Sequence, residues 1–209
     1  MNIFPQLIGA VIGLMFCAST NAAILATNTN YGALDGGEAS RTLDVTAQGV
    51  ITDVNITIEF AKCDNPEIGP SGTACLGRGD PFEEEFQFTL IAPNGKAVVL
   101  VSPFVTYNGL ASAGKGRVSV TFDDEALRAA GPRIEGGNFR PAAALSAFDG
   151  MDASGIWTLH MKDFARADPL EFFSAQLDII ADAPIPVPEP ASLVLLGLGV
   201  LGMRAARRR

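Results

Sequence analysis

The amino-acid sequence predicts an all-β domain, an antiparallel β-sandwich, and three observations carry that prediction. Apolar and polar residues alternate with a period of two over 50–60 and over 86–90, which is typical of half-buried strands. Turn residues separate such segments, as in Pro-Asn-Gly-Lys at 93–96, where Asn-Gly tolerates positive φ. Helix signals are poor, and the best covers only 123–130, where acidic residues favour a turn or two of helix.

The predicted strands follow one another along the chain with short, polar connections. In 50–60 the even-numbered residues, from Val50 to Phe60, are predicted to face the core, and the odd-numbered residues to face solvent. The segment after the turn at 93–96 is expected to return as a hairpin partner. The predicted strands are 41–46, 50–60, 86–90, 97–102, 117–122, 157–162 and 172–180.

One late strand supplies the expected centre of the core. Trp157 shares a strand face with Leu159 and Met161, and Trp is a natural core anchor for a sandwich. Gly155 leaves room for a tight turn before that strand.

Residues 1–23 have the features of a secretory signal peptide. An apolar run to about Ala18 is followed by small residues, so cleavage by signal peptidase is expected after Ala22 or Ala23. The run lacks the Lys or Arg that usually precedes it. The following domain, 24–181, is then exported.

Two cysteines of the exported domain are predicted to form a disulfide. Cys63 and Cys75 are the only cysteines outside the signal peptide, and eleven residues lie between them. An oxidising compartment favours their pairing, which would limit the cost of the long irregular segment 62–82. A metal site is the alternative, but two cysteines without nearby His or Cys partners do not make a zinc set.

The C-terminal region carries three segments in order. A stiff, proline-rich stalk covers 182–190. The uncharged run 191–203 would span roughly 20 Å as a helix, short of the roughly 30 Å of a bilayer core, so it is a marginal transmembrane helix. Four arginines in the tail 204–209 favour the cytoplasmic side. A single-pass tail anchor is one interpretation of this order.

The same order resembles the bacterial PEP-CTERM sorting signal, with Pro188, Glu189 and Pro190 as its signature. The resemblance implies transient membrane insertion and processing by an exosortase near this tripeptide. It also implies a bacterium that makes exopolysaccharide.

Charge restricts the classes of partner. Residues 24–187 hold 22 acidic and 11 basic residues, whereas the tail is positive. An acidic exported domain argues against nucleic acid or anionic lipid as a partner but permits calcium. A solvated acidic rim is the alternative to a calcium site. The candidate calcium ligands are Asp123, Asp124, Asp163 and Asp168.

Five segments between residues 49 and 159 occur in a set order. They are Gly49 to Val54, Phe86 to Gly95, Val120 to Ala126, Phe139 to Gly150 and Gly155 to Leu159, with Asp163 and Asp168 after them. This order resembles the P domain (Homo B domain) that follows the catalytic domain of subtilisin-like proprotein convertases. The resemblance covers about 45–180 and implies a jelly-roll β-sandwich similar to galactose-binding folds.

The sequence predicts no catalytic residues. A serine protease triad needs a histidine as general base, and the only histidine, His160, lies on the strand face opposite Trp157. No Gly-x-Ser-x-Gly elbow is present. We therefore expect this protein not to be an enzyme, although the P-domain family is associated with serine endopeptidases.

These features predict an exported protein at the cell surface or in the extracellular polysaccharide matrix, acting as a binding or structural module. An exopolysaccharide or a surface protein is the expected partner. One alternative is an accessory module of a separate subtilisin-like endopeptidase. Another is a carbohydrate-binding module that uses Tyr31 or Tyr107.

Overall fold

Ten β-strands make up the part of the chain that the structure describes. A computed structural model describes residues 21–64, 69, 74–109 and 113–182, and none of these residues forms an α-helix. A short 3-10 turn covers Leu145–Phe148. The strands are β1 (Asn21–Asn28), β2 (Gly32–Leu34), β3 (Gly37–Val45), β4 (Val50–Lys62), β5 (Phe86–Ile91), β6 (Ala97–Val101), β7 (Val118–Phe122), β8 (Gly137–Phe139), β9 (Gly155–Asp163) and β10 (Leu170–Asp182).

The strands form two sheets with the core between them. The larger sheet has the order β1-β10-β4-β7-β8, with β2 beside the start of β10, and the smaller has the order β3-β9-β5-β6. Neighbouring strands are antiparallel except β7 and β8, which are parallel. The all-β, two-sheet prediction is confirmed. The jelly-roll connectivity stays a prediction.

Strand β4 shows where the predicted alternation holds and where it fails. From Val54 to Phe60 the even-numbered residues are buried, as predicted. Near the start of the strand the phase reverses, so that Ile51 is 1% exposed and Val50 is 51% exposed. A register shift against β10 skips Thr52, and such a bulge turns the following side chains to the other face. The predicted inward orientation of Val50 and Thr52 is therefore wrong.

Aromatic side chains from both sheets fill the core. Trp157 is fully buried, and its indole N–H donates to the carbonyl oxygen of Ala153 at 2.9 Å. Phe60 of the larger sheet contacts Phe86 and Phe88 of the smaller sheet, with ring centroids 5.4 and 5.1 Å apart. The buried indole has its polar atom satisfied, which is the usual condition for a tryptophan in a core.

The strand that carries Trp157 begins at a position where only glycine fits. Gly155 has φ of +123°, a value that side chains rarely adopt. A Cβ atom at this residue would lie 2.8 Å from the Cβ of Pro93, in the turn between β5 and β6. The lack of a side chain therefore lets the two segments approach.

The helix predicted over 123–130 does not form. Asp123 accepts the backbone N–H two residues ahead at 2.7 Å. The Asp124 carboxylate accepts the backbone N–H groups of Leu145 and Ser146 at 2.9 and 2.8 Å. Carboxylates that bond backbone groups in this way compete with helix formation, and here they hold a turn against the 3-10 segment.

Both ends of the described fold leave the sandwich side by side, because Asn21 pairs with Asp182. We call this end of the sandwich, with the connections 46–49, 92–96 and 140–154, the proximal end. The opposite end is the distal end. Its connections, over the residues that the structure describes, are 29–36, 63–64, 69, 74–85, 102–109, 113–117 and 164–169.

Several predicted segments lie outside the described residues. They are residues 1–20 of the signal peptide and 183–209, which include most of the stalk, the sorting residues Pro188, Glu189 and Pro190, the apolar run and the basic tail. No helix within the described residues is long and apolar enough to cross a membrane. Strand β1 already begins at Asn21, and Ile24 is buried in the core.

Candidate functional site

The four carboxylates predicted as calcium ligands lie at opposite ends of the sandwich. Asp123 and Asp124 follow β7 at the proximal end, whereas Asp163 and Asp168 lie at the distal end. About half of the length of β4 separates the two pairs, roughly 20 Å at about 3.3 Å per residue. The structure does not bring them together. Within the described residues, no group of three or more His, Cys, Asp or Glu is arranged to hold a metal ion.

The distal pair instead surrounds a buried lysine. Lys62 is 2% exposed, and its Nζ lies 3.2 Å from both carboxylate oxygens of Asp163. The same Nζ donates to the carbonyl oxygen of Asp168 and lies 3.8 Å from Oε2 of Glu85. A buried charge is tolerated only when it is paired and hydrogen-bonded, so the lysine and its carboxylates depend on one another.

Burial sets the ionisation of these carboxyl groups. Loss of solvent raises the pKa of Asp163, and the nearby Lys62 ammonium opposes the shift. Burial also raises the pKa of Asp168 and of Glu85, with Lys62 again lowering both values. The distal ion cluster (Lys62, Glu85, Asp163 and Asp168) thus combines one cation with three carboxyl groups that resist ionisation.

The predicted disulfide covers the outer face of the larger sheet at this end. Cys63 and Cys75 are bonded, with Cα atoms 5.7 Å apart. Both cysteines are fully buried, and they pack with Ala61 and Phe173 in a small core separate from the main one. The staple therefore fixes the distal connection against β4 and β10.

The two tyrosines do not provide a pair of ligand-binding rings. Tyr107 is 2% exposed and stacks on Phe86, with centroids 5.7 Å apart. Tyr31 is 37% exposed, and its hydroxyl donates to Oε1 of Glu171 at 2.8 Å. Because the ring of Tyr107 is buried, a carbohydrate site built on that residue is not accessible.

Among the described residues, the exposed phenylalanines all lie at the distal end. Eight of the eleven phenylalanines that the structure describes are buried, and the other three are exposed. Phe82, Phe104 and Phe164 are 57, 54 and 40% exposed. Phe104 and Phe164 contact each other edge to face, with ring centroids 5.8 Å apart, and we call these two residues the phenylalanine patch. Adjoining exposed rings are typical of interaction surfaces rather than of random exposure.

The backbone holds the patch in an unusual conformation. Phe104 has φ of +59°, which is rare for a bulky residue and costs of order 1 kcal/mol or more. Its backbone N–H donates to the carbonyl oxygen of Glu84 at 2.7 Å, and that of Phe164 donates to Glu85 at 2.8 Å. The segment 84–85 therefore brings the two rings together directly beside the distal ion cluster.

His160 lies on the outer face of the smaller sheet. Its neighbours across the ladder are Ser40 and Thr89, and its Nε2 lies 3.6 Å from Oε2 of Glu38. None of the hydrogen bonds among the described residues joins the imidazole to either neighbouring hydroxyl.

Sequence reasoning missed both the buried lysine and the patch. Lys62 had a usable signal, because it continues the even-numbered inward series of β4 beyond Phe60. Phe104 and Phe164 carried no such signal, because the sequence does not show whether a phenylalanine in a loop after a strand is buried or exposed.

Comparison with known proteins identifies the C-terminal segment. Residues 186–209 match the PEP-CTERM protein-sorting motif. This motif indicates exosortase-dependent export to the cell envelope or surface. The matched segment begins shortly after Asp182, where β10 ends at the proximal end.

Three solved structures resemble the described fold distantly. No curated protein sequence matches the chain. The Aeromonas sobria serine protease in complex with a chaperone is 14% identical, with a TM-score of 0.38 over 77% of this chain and 27% of that chain. The same protease alone is 13% identical, with a TM-score of 0.37 over 75% of this chain and 27% of that chain. FLHE is 14% identical, with a TM-score of 0.39 over 77% of this chain and 96% of that chain. The chain thus spans about a quarter of the protease chains, and likenesses this weak carry no argument about function.

Proposed function

We propose that this protein is an exported, exosortase-processed protein whose sandwich acts as a non-catalytic binding module at the cell surface or in the extracellular matrix. The binding surface is the distal end. The observation that carries this proposal is the phenylalanine patch, two exposed rings in contact, one of them on strained backbone. Strain that persists in a fold often accompanies a functional surface.

The position of the termini supports the distal end as the presented surface. The sorting segment follows Asp182, and Asn21 lies beside it. While residues 191–203 are inserted in the membrane, the distal end faces away from the attachment point. Exosortase then removes the segment after Pro190, and the mature protein keeps the sandwich with its stalk.

The surroundings of His160 support a non-catalytic role. A triad needs a hydroxyl nucleophile hydrogen-bonded to the histidine. In the described residues the imidazole instead faces Glu38 on a half-buried strand surface, with Ser40 and Thr89 only as ladder neighbours. We expect no steady hydrolysis of a casein substrate by the purified protein, and turnover that is lost in His160→Ala would contradict this.

One alternative follows from the sequence resemblance alone. The P-domain-like order of segments over 45–180 supports an accessory module that helps a separate subtilisin-like protease to fold. A measurable rise in the refolding yield of such a protease in the presence of this protein would favour that alternative.

The proposal is tested by where the protein is retained. Phe164→Ser, expressed in the producing bacterium, is expected to shift most of the protein from the matrix fraction to the culture supernatant. Leu127→Ser is the matched control, because Leu127 is 97% exposed but lies towards the proximal end, where its carbonyl oxygen accepts a hydrogen bond from the Arg140 side chain. Equal retention of both variants would contradict binding through the patch. Intact mass of the mature protein tests processing, and a mass that includes Arg209 contradicts it.

A further inference from the structure

A row of uncharged polar side chains crosses the outer face of the larger sheet. The strand register places five residues side by side, one from each main strand, and none carries a charge. Each points outward, because at least one of its two neighbours along the strand is buried in the core. The polar row consists of Thr27, Gln176, Thr57, Thr121 and Asn138.

Three of the five row residues, those on β1, β10 and β4, line a depression in the sheet surface. A cleft of about 290 Å³ opens over β1, β10 and β4, and its walls include Thr27, Thr57, Gln176, Glu59 and Ser174. At about 4.8 Å between strands, the five positions extend roughly 19 Å across the sheet. That length suits a chain molecule better than a single small ring.

Hydroxyl groups in the row are already positioned. Thr57 and Thr121 share a hydrogen bond of 2.8 Å between their Oγ1 atoms. Each hydroxyl both donates and accepts, as do the amides of Gln176 and Asn138 taken as whole groups. A ligand with many hydroxyl groups can therefore match the row at every position.

The charges around the cleft argue against an anionic polymer and against a divalent cation as the ligand. The cation beside the cleft is Arg117, whose guanidinium is paired with Glu59 and stacks 4.8 Å from the ring of Phe173. Ser174 donates to the same Glu59 carboxylate at 2.7 Å. On the other side of the row stands Asp178, paired across the ladder with Asn55. Carboxylates on both flanks repel an anionic polymer, and a single lining carboxylate is too few for a divalent cation.

We propose that this cleft binds a neutral polysaccharide chain, laid across the strands along the polar row. The hydroxyls and amides of the row exchange hydrogen bonds with sugar hydroxyls, and Glu59 accepts a further one. This inference deepens the proposed binding function and rests on it in taking the sandwich to act by binding. It uses a face separate from the phenylalanine patch.

The test is titration calorimetry of the full chain with named probes. Maltohexaose, cellohexaose and laminarihexaose are the neutral hexasaccharides, and hexagalacturonate is the anionic comparison. At least one neutral probe is expected to bind with a Kd below about 1 mM, and the anionic probe at least tenfold more weakly. An exclusive preference for the anionic probe, or no binding of any neutral probe, would overturn the inference.

Variants assign the binding to the cleft. Thr57→Val with Thr121→Val keeps shape and strand propensity but removes both hydroxyls, so Kd is expected to rise by about tenfold or more. Gln176→Met repeats the test at a more exposed position. Thr158→Val is the matched control, a half-buried threonine on the outer face of the smaller sheet. If both Thr57→Val with Thr121→Val and Gln176→Met leave the affinity unchanged, the sugar binds elsewhere and the proposed site is wrong. Phe164→Ser should leave this affinity unchanged, so the two proposals fail separately.

Discussion

The two ends of the sandwich are held together by different interactions. At the proximal end the contacts are tight turns and hydrogen bonds to the backbone, as where Gly155 lets its strand approach Pro93 and the indole of Trp157 bonds Ala153. At the distal end a buried lysine, three carboxyl groups and a disulfide take that role. Both non-glycine residues with positive φ in the described chain, Phe104 and Ala167, also lie at the distal end.

This difference fits separate roles for the two ends, in which the proximal end leads to the sorting segment and the distal end presents the proposed binding surface. The proximal end carries both ends of the described fold, Asn21 and Asp182, and needs only to be stable. The distal end carries strained backbone and exposed rings. Strained backbone lowers stability, and such features are usually kept where function requires them. The disulfide offsets part of that cost.

The largest expected effect is loss of the buried lysine. Lys62→Met leaves three carboxyl groups facing one another without a cation, and it is expected to destabilise the protein by about 3 to 5 kcal/mol at neutral pH. Chemical denaturation measures this effect. Lys96→Met, at the exposed proximal turn, is the control and should change little. If both variants cost the same, the ion cluster does not hold the distal end.

Removal of the disulfide is expected to have the next largest effect. Cys63→Ala with Cys75→Ala should lower the unfolding free energy by about 3 kcal/mol, because the unfolded chain regains loop entropy. The emission of Trp157, at the other end, should be unchanged in the native state. A shift in that emission would show that the two ends are not independent.

At the proximal end, a single methyl group should act through sterics. Gly155→Ala combines an unfavourable φ with a clash against Pro93 and is expected to cost about 2 kcal/mol. Gly150→Ala is the matched control, since Gly150 has φ of +79° but no atom within 4 Å of the place that a methyl group would take. Gly150→Ala should cost about 1 kcal/mol, the part due to φ alone. Equal costs would mean that the contact with Pro93 is soft.

Acid should stabilise the distal end modestly. Folding raises the pKa values of Asp163, Asp168 and Glu85, so the folded state holds these protons more tightly than the unfolded chain does. Their contribution is complete below the unfolded pKa, near 4, and is lost as pH rises through the folded values. Calorimetry should therefore find a higher Tm at about pH 5 than at pH 7.

A variant assigns that pH dependence to the distal end. Asp53 and Asp149, away from the distal cluster, shift in the same direction, so the curve of the whole protein is not specific. Asp163→Asn should give a shallower rise in Tm on acidification than the wild type. An equal slope would place the effect elsewhere.

The sequence predicted the architecture better than it predicted the site. Alternation placed β4 and β9 correctly because a two-sided sheet imposes a period of two on buried residues. It failed at Thr52, where a bulge depends on register with β10, a strand more than a hundred residues away. It also failed over 123–130, because the carboxylate of Asp124 bonds backbone groups of a distant turn. The patch and the polar row arise only when strands are set side by side.

In the proposed function, the distal end binds through the phenylalanine patch, in which the backbone of Phe104 is strained. Phe104→Asn tests it most directly, because asparagine tolerates positive φ and removes the ring. We expect the Phe104→Asn variant to be more stable than the wild type, with a Tm that is higher by roughly 2 to 4 °C because about 1 kcal/mol of strain is relieved. We also expect it to be poorly retained in the matrix fraction. Retention of Phe104→Asn equal to that of the wild type would contradict binding through the phenylalanine patch.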